Sequence, residues 1–177
     1  LHPLVARILA RRGVTVADDA PRFLSPRLTE LSRPDAMADR DLAAERIALA
    51  VKRRERVVVY GDYDVDGITS ATLLTRVLRR LGGDVTAQVA SRFSGGYGLS
   101  DAALDRVLAE RPSLVITCDC GTSDHPRLER LRAAGVDAIV VDHHKVPDEP
   151  LPALAFLNPH RPDCGFAYKH MASVGLA

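Results

Sequence analysis

The sequence predicts an α/β fold, with a parallel β-sheet of about five strands flanked by helices and preceded by a short helical N-terminal arm. Short and continuously apolar segments, such as residues 57–60 and 114–117, are typical of strands that are buried on both faces. Segments with helical periodicity follow these strands along the chain. Strands that alternate with helices form βαβ units, and such units build a parallel sheet.

The first part of the chain predicts an arm rather than part of the sheet. Residues 4–12 have a helical pattern, and residues 18–38 contain Pro21, Pro26 and Pro34, which break regular structure. A helix is expected from an N-cap at Asp39 or Asp41 to about Arg54, with Leu42, Ile47 and Val51 buried. We therefore divide the chain into a basic arm, 1–38, and a domain, 39–177.

The remaining elements follow in a regular order. Helix 68–81 places Leu74, Val77, Leu78 and Leu81 on one face and ends at two glycines. Ser100 and Asp124 are expected to cap the next two helices, and a last helix is expected to open near Tyr168. The strands are predicted at residues 57–60, 84–90, 114–117, 138–141 and 155–157.

Composition excludes several classes of protein. The chain has 177 residues, of which 46% are hydrophobic and 27% are charged, enough for one globular core and too apolar for a disordered chain. No segment reaches the roughly 18 apolar residues of a membrane span, and no signal-peptide pattern is present. Three cysteines argue against a disulfide scaffold. We expect a cytoplasmic protein without membrane contact.

Charge is distributed unevenly along the chain. Residues 1–56 contain 12 Lys and Arg against 8 Asp and Glu (+4), whereas residues 57–177 contain 12 against 15 (−3). Of the 24 basic residues 21 are arginine, whose planar guanidinium suits phosphate contact. A GC-rich genome explains the same bias, and both interpretations stay open.

Acidic and imidazole side chains follow three of the predicted strands. Because ligands bind at the carboxyl ends of strands in open α/β sheets, we expect these side chains to meet at one edge. We also expect Asp62, Asp64 and Asp66 to alternate in extended backbone and point the same way. Oxygen and imidazole ligands suit Mn²⁺ or Mg²⁺, and so many ligands favour two ions. The three groups are Asp62, Asp64 and Asp66, then Asp119, then Asp142, His143 and His144.

The residues also suggest two other kinds of metal site, for calcium and for zinc. The run from Asp62 to Gly67 imitates the start of a calcium-binding loop, but position 73, where that loop needs Glu, is Leu73. Cys118, Cys120 and Cys164 could hold zinc with a histidine, but the usual C-x-x-C spacing is absent. Cys120 is more simply a small buried residue.

Phosphate contacts are expected beside the carboxylates. Backbone N–H groups at Gly121 and Thr122, where a helix or turn begins, can bind a phosphate oxygen. The glycine-rich loop 92–98 carries Arg92 for a bidentate phosphate contact and Phe93 or Tyr97 for base stacking. A plain connecting loop is the alternative.

These three motifs together resemble the DHH phosphoesterase superfamily, whose domain is Rossmann-like, and in particular its bacterial RecJ branch. The quoted residues are GDYDVDG at 61–67 with Thr69 and Ser70, DCGT at 119–122, and DHH at 142–144. The GYGL segment at 96–99, the LNPH segment at 157–160 and the basic arm are also RecJ-like, so the resemblance covers the whole chain.

The resemblance implies a role for each residue of the site. Asp64, Asp66, Asp119 and His143 would bind two divalent ions, Mn²⁺ or Mg²⁺, with Asp119 between them. His144 would face the scissile phosphate, Asp142 would orient a histidine, and Arg92 would contact phosphate. We also expect Asp62 to be a catalytic residue, together with His144 and Asp142.

The chain also departs from the family pattern. Tyr60 stands where many members have a histidine, which favours the RecJ branch, and Gly95 stands where an acidic residue is frequent. The C-terminal residues resemble the start of the next helix of the family. A further metal aspartate, a second domain and an oligonucleotide-binding domain are therefore expected beyond it, so this fragment alone is expected to lack full activity.

The implied function is 5′→3′ exonuclease cleavage of single-stranded DNA to 5′-mononucleotides in DNA repair and recombination. The implied partners are single-stranded DNA, a single-strand-binding protein and a helicase. Two alternatives stay open. One is a hydrolase of the same chemistry that acts on short oligonucleotides, cyclic dinucleotides or polyphosphate. The other is a non-catalytic replication scaffold on the same fold.

Overall fold

A computed structural model describes residues 1–93 and 96–177. Gly95, which departs from the family pattern, lies outside the described residues. The chain separates into two compact units, Leu1–Arg33 and Pro34–Ala177. The first unit contains helices α1 (Pro3–Arg11) and α2 (Asp19–Leu24) and a 3₁₀ turn at Leu28–Glu30, in agreement with the broken helical arm that the prolines predict.

The second unit contains the predicted five-stranded parallel sheet. Its strands run side by side in the order β2, β1, β3, β4, β5, and every neighbouring pair is parallel. The chain forms β1 first and adds β2 on one side of it. It then adds β3, β4 and β5 in turn on the other side of β1. The strands are β1 (Arg56–Gly61), β2 (Asp84–Val89), β3 (Leu114–Cys118), β4 (Asp137–Val141) and β5 (Ala155–Leu157).

Helices cover both faces of this sheet, and each face has its own apolar core. One face carries Val57, Val59 and Ile116 and packs against residues of α3, α4 and α7. The other carries Val58, Val115 and Val140 and packs against α5 and α6. The helices are α3 (Arg40–Arg53), α4 (Val65–Arg80), α5 (Asp101–Ala109), α6 (His125–Ala133) and α7 (Ser173–Leu176).

Two of the expected helix caps have other roles. Asp39 precedes α3, but it has a left-handed backbone (φ 59°), and its carboxylate accepts a hydrogen bond from the backbone of Phe156 in β5. Asp124 precedes α6, but its carboxylate accepts from the Leu99 backbone. Ser100 does cap α5, by accepting from Ala103. A long-range contact therefore replaces the local cap in two of three cases.

Some of the expected burial is also wrong. In α3 the buried residues are Ala43 and Ala50, and Leu42 is 44% exposed. In α4 Leu78 is buried, but Val77 and Leu81 are exposed. Small residues face the sheet because the helices pack closely against it, and larger apolar residues lie at the margins.

The last helix begins later than expected, since α7 begins at Ser173 rather than near Tyr168. Within the described part of the chain, no helix has both the length and the apolar character that crossing a membrane requires.

Candidate metal centre

The carboxyl edge of the sheet fixes three aspartates by their backbone. The N–H of Asp62 donates to Cys118 O (3.1 Å), that of Asp119 to Val141 O (2.9 Å) and that of Asp142 to Leu157 O (3.0 Å). Each aspartate therefore continues the hydrogen bonding of its strand by one residue. Asp62 and Asp119 flank the point between β1 and β3 where the strand order reverses, which is the expected ligand site of such sheets.

A tight turn joins β1 to α4. A Cβ atom on Gly67 would lie 2.5 Å from the backbone N and O of Asp62, so no other residue fits there without a shift. Asp64 caps α4 by accepting from Gly67 N (3.0 Å), a bond that lowers the pKa of its carboxyl. Asp66 already lies in the first turn of α4. The expectation of three aspartates alternating in extended backbone is therefore wrong.

Asp119 lies at the centre of the site. Its backbone is left-handed (φ 60°), which is rare outside glycine, and its side chain is buried. Asp119 Oδ1 lies 3.2 Å from His143 Nε2 and accepts from Ser173 Oγ (3.0 Å). Burial, together with the charges of Asp66 and Asp64, raises the pKa of Asp119 to about 7. A buried carboxyl of this kind lacks a compensating positive charge.

Asp66 is held by the last helix. Its two carboxylate oxygens accept from the backbone N–H groups of Ser173 and Val174, each at 2.8 Å. Asp66 Oδ2 also lies 3.6 Å from His143 Nε2. The structure thus brings the four predicted metal residues, Asp64, Asp66, Asp119 and His143, to one place.

Asp142 organises the two histidines. This fully buried carboxylate accepts from the backbone N–H groups of Thr122 (3.2 Å), His143 (2.8 Å) and His144 (3.3 Å). It also lies 2.6 Å from His144 Nδ1. Burial disfavours the charged imidazole, but the hydrogen bond and charge of Asp142 outweigh it and raise the pKa of His144. Asp142 thus contacts both histidines, and its orienting role stays a prediction.

Replacing Asp142 with Asn should destabilise the fold by about 1–3 kcal/mol, because an amide NH₂ would face N–H donors in a buried site. The pKa of His144 should fall towards its ordinary value. Urea denaturation measures the first effect and histidine NMR titration the second. Asp148→Asn, at an exposed position in the next loop, is the matched control. Equal stability and an unchanged His144 pKa in Asp142→Asn would contradict this role.

The donor set suits hard divalent cations. Two groups of three side chains place one potential ligand atom each within 4.8 Å of one another: Asp62, Asp64 and Asp119, and Asp119, His143 and His144. Among the ion pairs of the described residues, none joins a lysine or arginine to Asp64, Asp66 or Asp119. Carboxylates in such proximity, without a cation of the chain beside them, fit Mn²⁺ or Mg²⁺. Asp119, common to both groups, suits the position between two ions.

The predicted phosphate contacts are distributed around this centre. Arg92 is exposed, and its guanidinium carbon lies 4.8 Å from the centre of the Tyr63 ring. Thr122 is buried and its N–H already donates to Asp142, while Gly121 has φ 107° and lies against Thr117 and Val140. Phosphate binding by Arg92, Gly121 and Thr122 stays a prediction, as does the catalytic role of Asp62.

Ser173 and Asn158 have no predicted role in the site, and Tyr97 was predicted only as a stacking surface. Ser173 contacts both Asp119 and Asp66. Asn158 is buried and donates to the His144 carbonyl (2.9 Å), and the Tyr97 hydroxyl contacts the His144 ring. The LNPH segment and the C-terminal residues belong to the family resemblance, and this was the only sequence signal for Asn158 and Ser173. A cavity of about 880 Å³ beside His143 was not predicted either.

The cysteines do not contribute to the centre. Cys118, Cys120 and Cys164 are buried and unpaired. Within residues 1–93 and 96–177, neither group of possible metal ligands includes a cysteine. Cys118 and Cys120 pack in the cores on opposite faces of the sheet, as small apolar residues do.

Comparison with known proteins relates this geometry to a family. The model of the DHH family, N-terminal domain, matches residues 56–177. The single-stranded-DNA-specific exonuclease RecJ of Bacillus subtilis (strain 168) is 34% identical over all of this chain and 22% of its own length. The corresponding RecJ of Escherichia coli (strain K12) is 37% identical over all of this chain and 30% of its own length.

A solved structure is similar in both sequence and fold. The crystal structure of exonuclease RecJ bound to manganese matches 85% of this chain and 37% of its own chain, with 32% identity and a TM-score of 0.70. The chain spans between about a fifth and a third of the two sequence relatives that it matches. The matched region contains all three strand-end motifs, and the chain belongs to the DHH family, with the family's N-terminal domain at residues 56–177.

Proposed function

We propose that this chain is the catalytic domain of a metal-dependent nuclease, a 5′→3′ exonuclease that releases 5′-mononucleotides from single-stranded DNA. The observation that carries the proposal is Asp119, a buried and strained aspartate that meets Asp64 and His143 where the strand order reverses. Similarity to proteins named single-stranded-DNA-specific exonucleases supports the choice of substrate.

Asp64, Asp66, Asp119 and His143 would hold the two divalent ions, Mn²⁺ or Mg²⁺. Bound divalent ions lower the pKa of a water molecule towards neutrality and stabilise charge on a phosphoryl group. Asp62 lies beside Asp64 and Asp119 and is a further candidate ligand from the geometry. Asp62 and Asp119 directly follow β1 and β3, Asp64 and Asp66 lie at the start of α4, and His143 follows β4 by two residues, which supports a site that needs little rearrangement on binding.

His144 would act on the scissile phosphate. Its Nδ1 is held by Asp142, so Nε2 is the nitrogen left to meet a phosphate oxygen. Because Asp142 favours the charged imidazole, His144 can donate to the non-bridging oxygen on which negative charge develops. Arg92 would bind a neighbouring phosphate with its planar guanidinium.

The reaction balances as a hydrolysis. The oxygen of water bonds to phosphorus while the bond from phosphorus to the 3′ oxygen of the terminal nucleotide breaks. The 3′ oxygen takes a proton and leaves with the mononucleotide, and the shortened strand retains a 5′-phosphate. The 5′-phosphorylated end of the shortened strand is therefore a substrate for the next hydrolysis.

The full-length gene product should degrade 5′-phosphorylated single strands in the presence of Mn²⁺ and release mononucleotides in order from the 5′ end. A blunt duplex of the same sequence and a dinucleotide are the matched substrates. Faster hydrolysis of the dinucleotide would favour the short-oligonucleotide alternative. Binding of single strands without hydrolysis would favour the scaffold alternative.

Single-stranded DNA has to be supplied from duplex, so a helicase and a single-strand-binding protein are the proposed partners in repair and recombination. The three unpaired cysteines support a reducing compartment such as the cytoplasm.

A further inference from the structure

The segment 96–99 crosses the site above His144. The Tyr97 hydroxyl oxygen lies 3.1 Å from His144 Nδ1 and 3.3 Å from Nε2, and the two rings meet edge to face with their centres 5.5 Å apart. The same hydroxyl lies 3.4 Å from the carbonyl oxygen of Asp119. One tyrosine thus joins the histidine after β4 to the aspartate after β3.

The hydrogen-bonding state of His144 decides what this contact does. Asp142 can only accept, so the 2.6 Å contact requires the proton of His144 to be on Nδ1. The Tyr97 hydroxyl oxygen lies at similar distances from both ring nitrogens, so it lies on the lone-pair axis of neither, and its proton is donated to the Asp119 carbonyl oxygen. With Asp142 on one side and Tyr97 on the other, rotation of the imidazole is restricted.

Three hydrogen bonds fix the backbone that carries Tyr97. The buried Tyr60 hydroxyl donates to Gly98 O (3.1 Å), and Gly98 N donates to Asp62 Oδ1 (3.4 Å). Leu99 N donates to Asp124 Oδ2 (3.0 Å). All three partners lie on the strand ends and helix starts of the sheet. The position of Tyr97 is therefore set by the same elements that set the metal centre.

The glycines on either side of Tyr97 are required by the backbone. Gly96 and Gly98 have φ of 76° and 75°, a conformation that other residues adopt only with strain. A Cβ atom on Gly98 would also lie 3.0 Å from the Asp124 carboxylate. The backbone on either side of Tyr97 therefore depends on glycine.

We propose that Tyr97 is a positioning residue for His144, and that Tyr60 acts through the Gly98 carbonyl to hold Tyr97 in place. This proposal rests on the proposed function, in which His144 meets the scissile phosphate. The hydroxyl of Tyr97 acts on the imidazole, and the aromatic ring remains free to contact a base. Removing only the hydroxyl separates these two roles.

The test compares Tyr97→Phe, Tyr60→Phe and the exposed control Tyr168→Phe in the full-length gene product with Mn²⁺ and single-stranded DNA. Loss of a group that orients a catalytic side chain lowers activity by about tenfold or more. We expect kcat of Tyr97→Phe to fall about tenfold with KM within about twofold, since substrate binding is retained. Tyr60→Phe should lower kcat in the same direction, and Tyr168→Phe should match the wild type. Equal kcat in Tyr97→Phe and wild type would overturn the proposal, because a stacking ring is preserved in phenylalanine.

A second measurement does not depend on activity. Imidazole ¹⁵N shifts of His144 report which nitrogen carries the proton and how the surroundings of each nitrogen change. We expect the Nε2 resonance in the metal-free chain to move in Tyr97→Phe and, by less, in Tyr60→Phe. An unchanged Nε2 resonance in Tyr97→Phe would overturn the proposal even if the nuclease is active. A shifted resonance in a protein without nuclease activity would instead reject the proposed function and retain the Tyr97–His144 contact.

Discussion

Replacing Asp119 with Asn will lower Mn²⁺-dependent hydrolysis of single-stranded DNA by the full-length gene product on the order of a thousandfold. Asp119 belongs to both groups of possible metal ligands, so its loss weakens both ion positions at once. Asparagine has the same shape but one oxygen and no charge. The measurement is the initial rate of mononucleotide release at saturating Mn²⁺.

A matched control distinguishes the loss of a metal ligand from a loss of folded protein. Asp105→Asn alters an exposed aspartate of α5 whose carboxylate pairs with Arg130. It should retain the wild-type rate, and circular dichroism should show the same fold in both variants. If Asp119→Asn retained more than about a tenth of the wild-type rate, Asp119 would not be a ligand that both ions share.

Mn²⁺ will stabilise the protein, with a gain of about 3–4 kcal/mol in the free energy of unfolding at 100 to 1,000 times the dissociation constant. The gain arises because the folded chain gathers carboxylates that lack a positive partner, and the unfolded chain does not. Urea denaturation with Mn²⁺ and with EDTA measures the difference. Asp119→Asn should lose most of the gain, whereas Asp105→Asn should keep it.

The pH dependence of the stability of the metal-free protein tests the raised pKa of Asp119. The folded pKa of Asp119 is raised to about 7, above its ordinary value of 3.8, so the folded state holds this proton more tightly. Stability from Asp119 is therefore fully present below about pH 4 and is lost as pH rises to about 7. In EDTA, the difference in stability between Asp119→Asn and wild type should grow in favour of the variant across this range. A constant difference would contradict the raised pKa.

The sheet was predictable because its strands are encoded locally. Apolar runs such as 57–60 and 138–141 fall within the observed strands, and the alternation with helices gave the parallel arrangement. The order of the strands was not predicted, since it depends on which side of β1 the chain returns to. That order places Asp62 and Asp119 side by side.

Part of the candidate site was predictable, because the carboxyl ends of parallel strands meet at one edge of the sheet. Asp64, Asp119, His143 and His144 were expected there from position alone, and they converge. The conformation after β1 was not predicted correctly, because the spacing of the aspartates suggested extended backbone. The helix instead begins at Val65, where Asp64 can cap it.

Contacts between distant parts of the chain account for what the sequence did not reveal. Ser173 reaches Asp66 across 107 positions, and Asp39 binds the backbone of Phe156 across 117 positions. Neither residue belongs to a local pattern that indicates its partner. Tyr97 was expected to stack on a base, and only the folded loop places its hydroxyl beside His144.

Anomalous X-ray diffraction at the manganese edge, from crystals grown with Mn²⁺, would locate the bound ions. We expect two peaks at the carboxyl edge of the sheet, both in contact with Asp119. Asp64, Asp66 and His143 should lie among the other ligands of the two ions. The absence of any peak beside Asp64 and Asp119, at Mn²⁺ concentrations that support hydrolysis, would contradict the proposed metal centre.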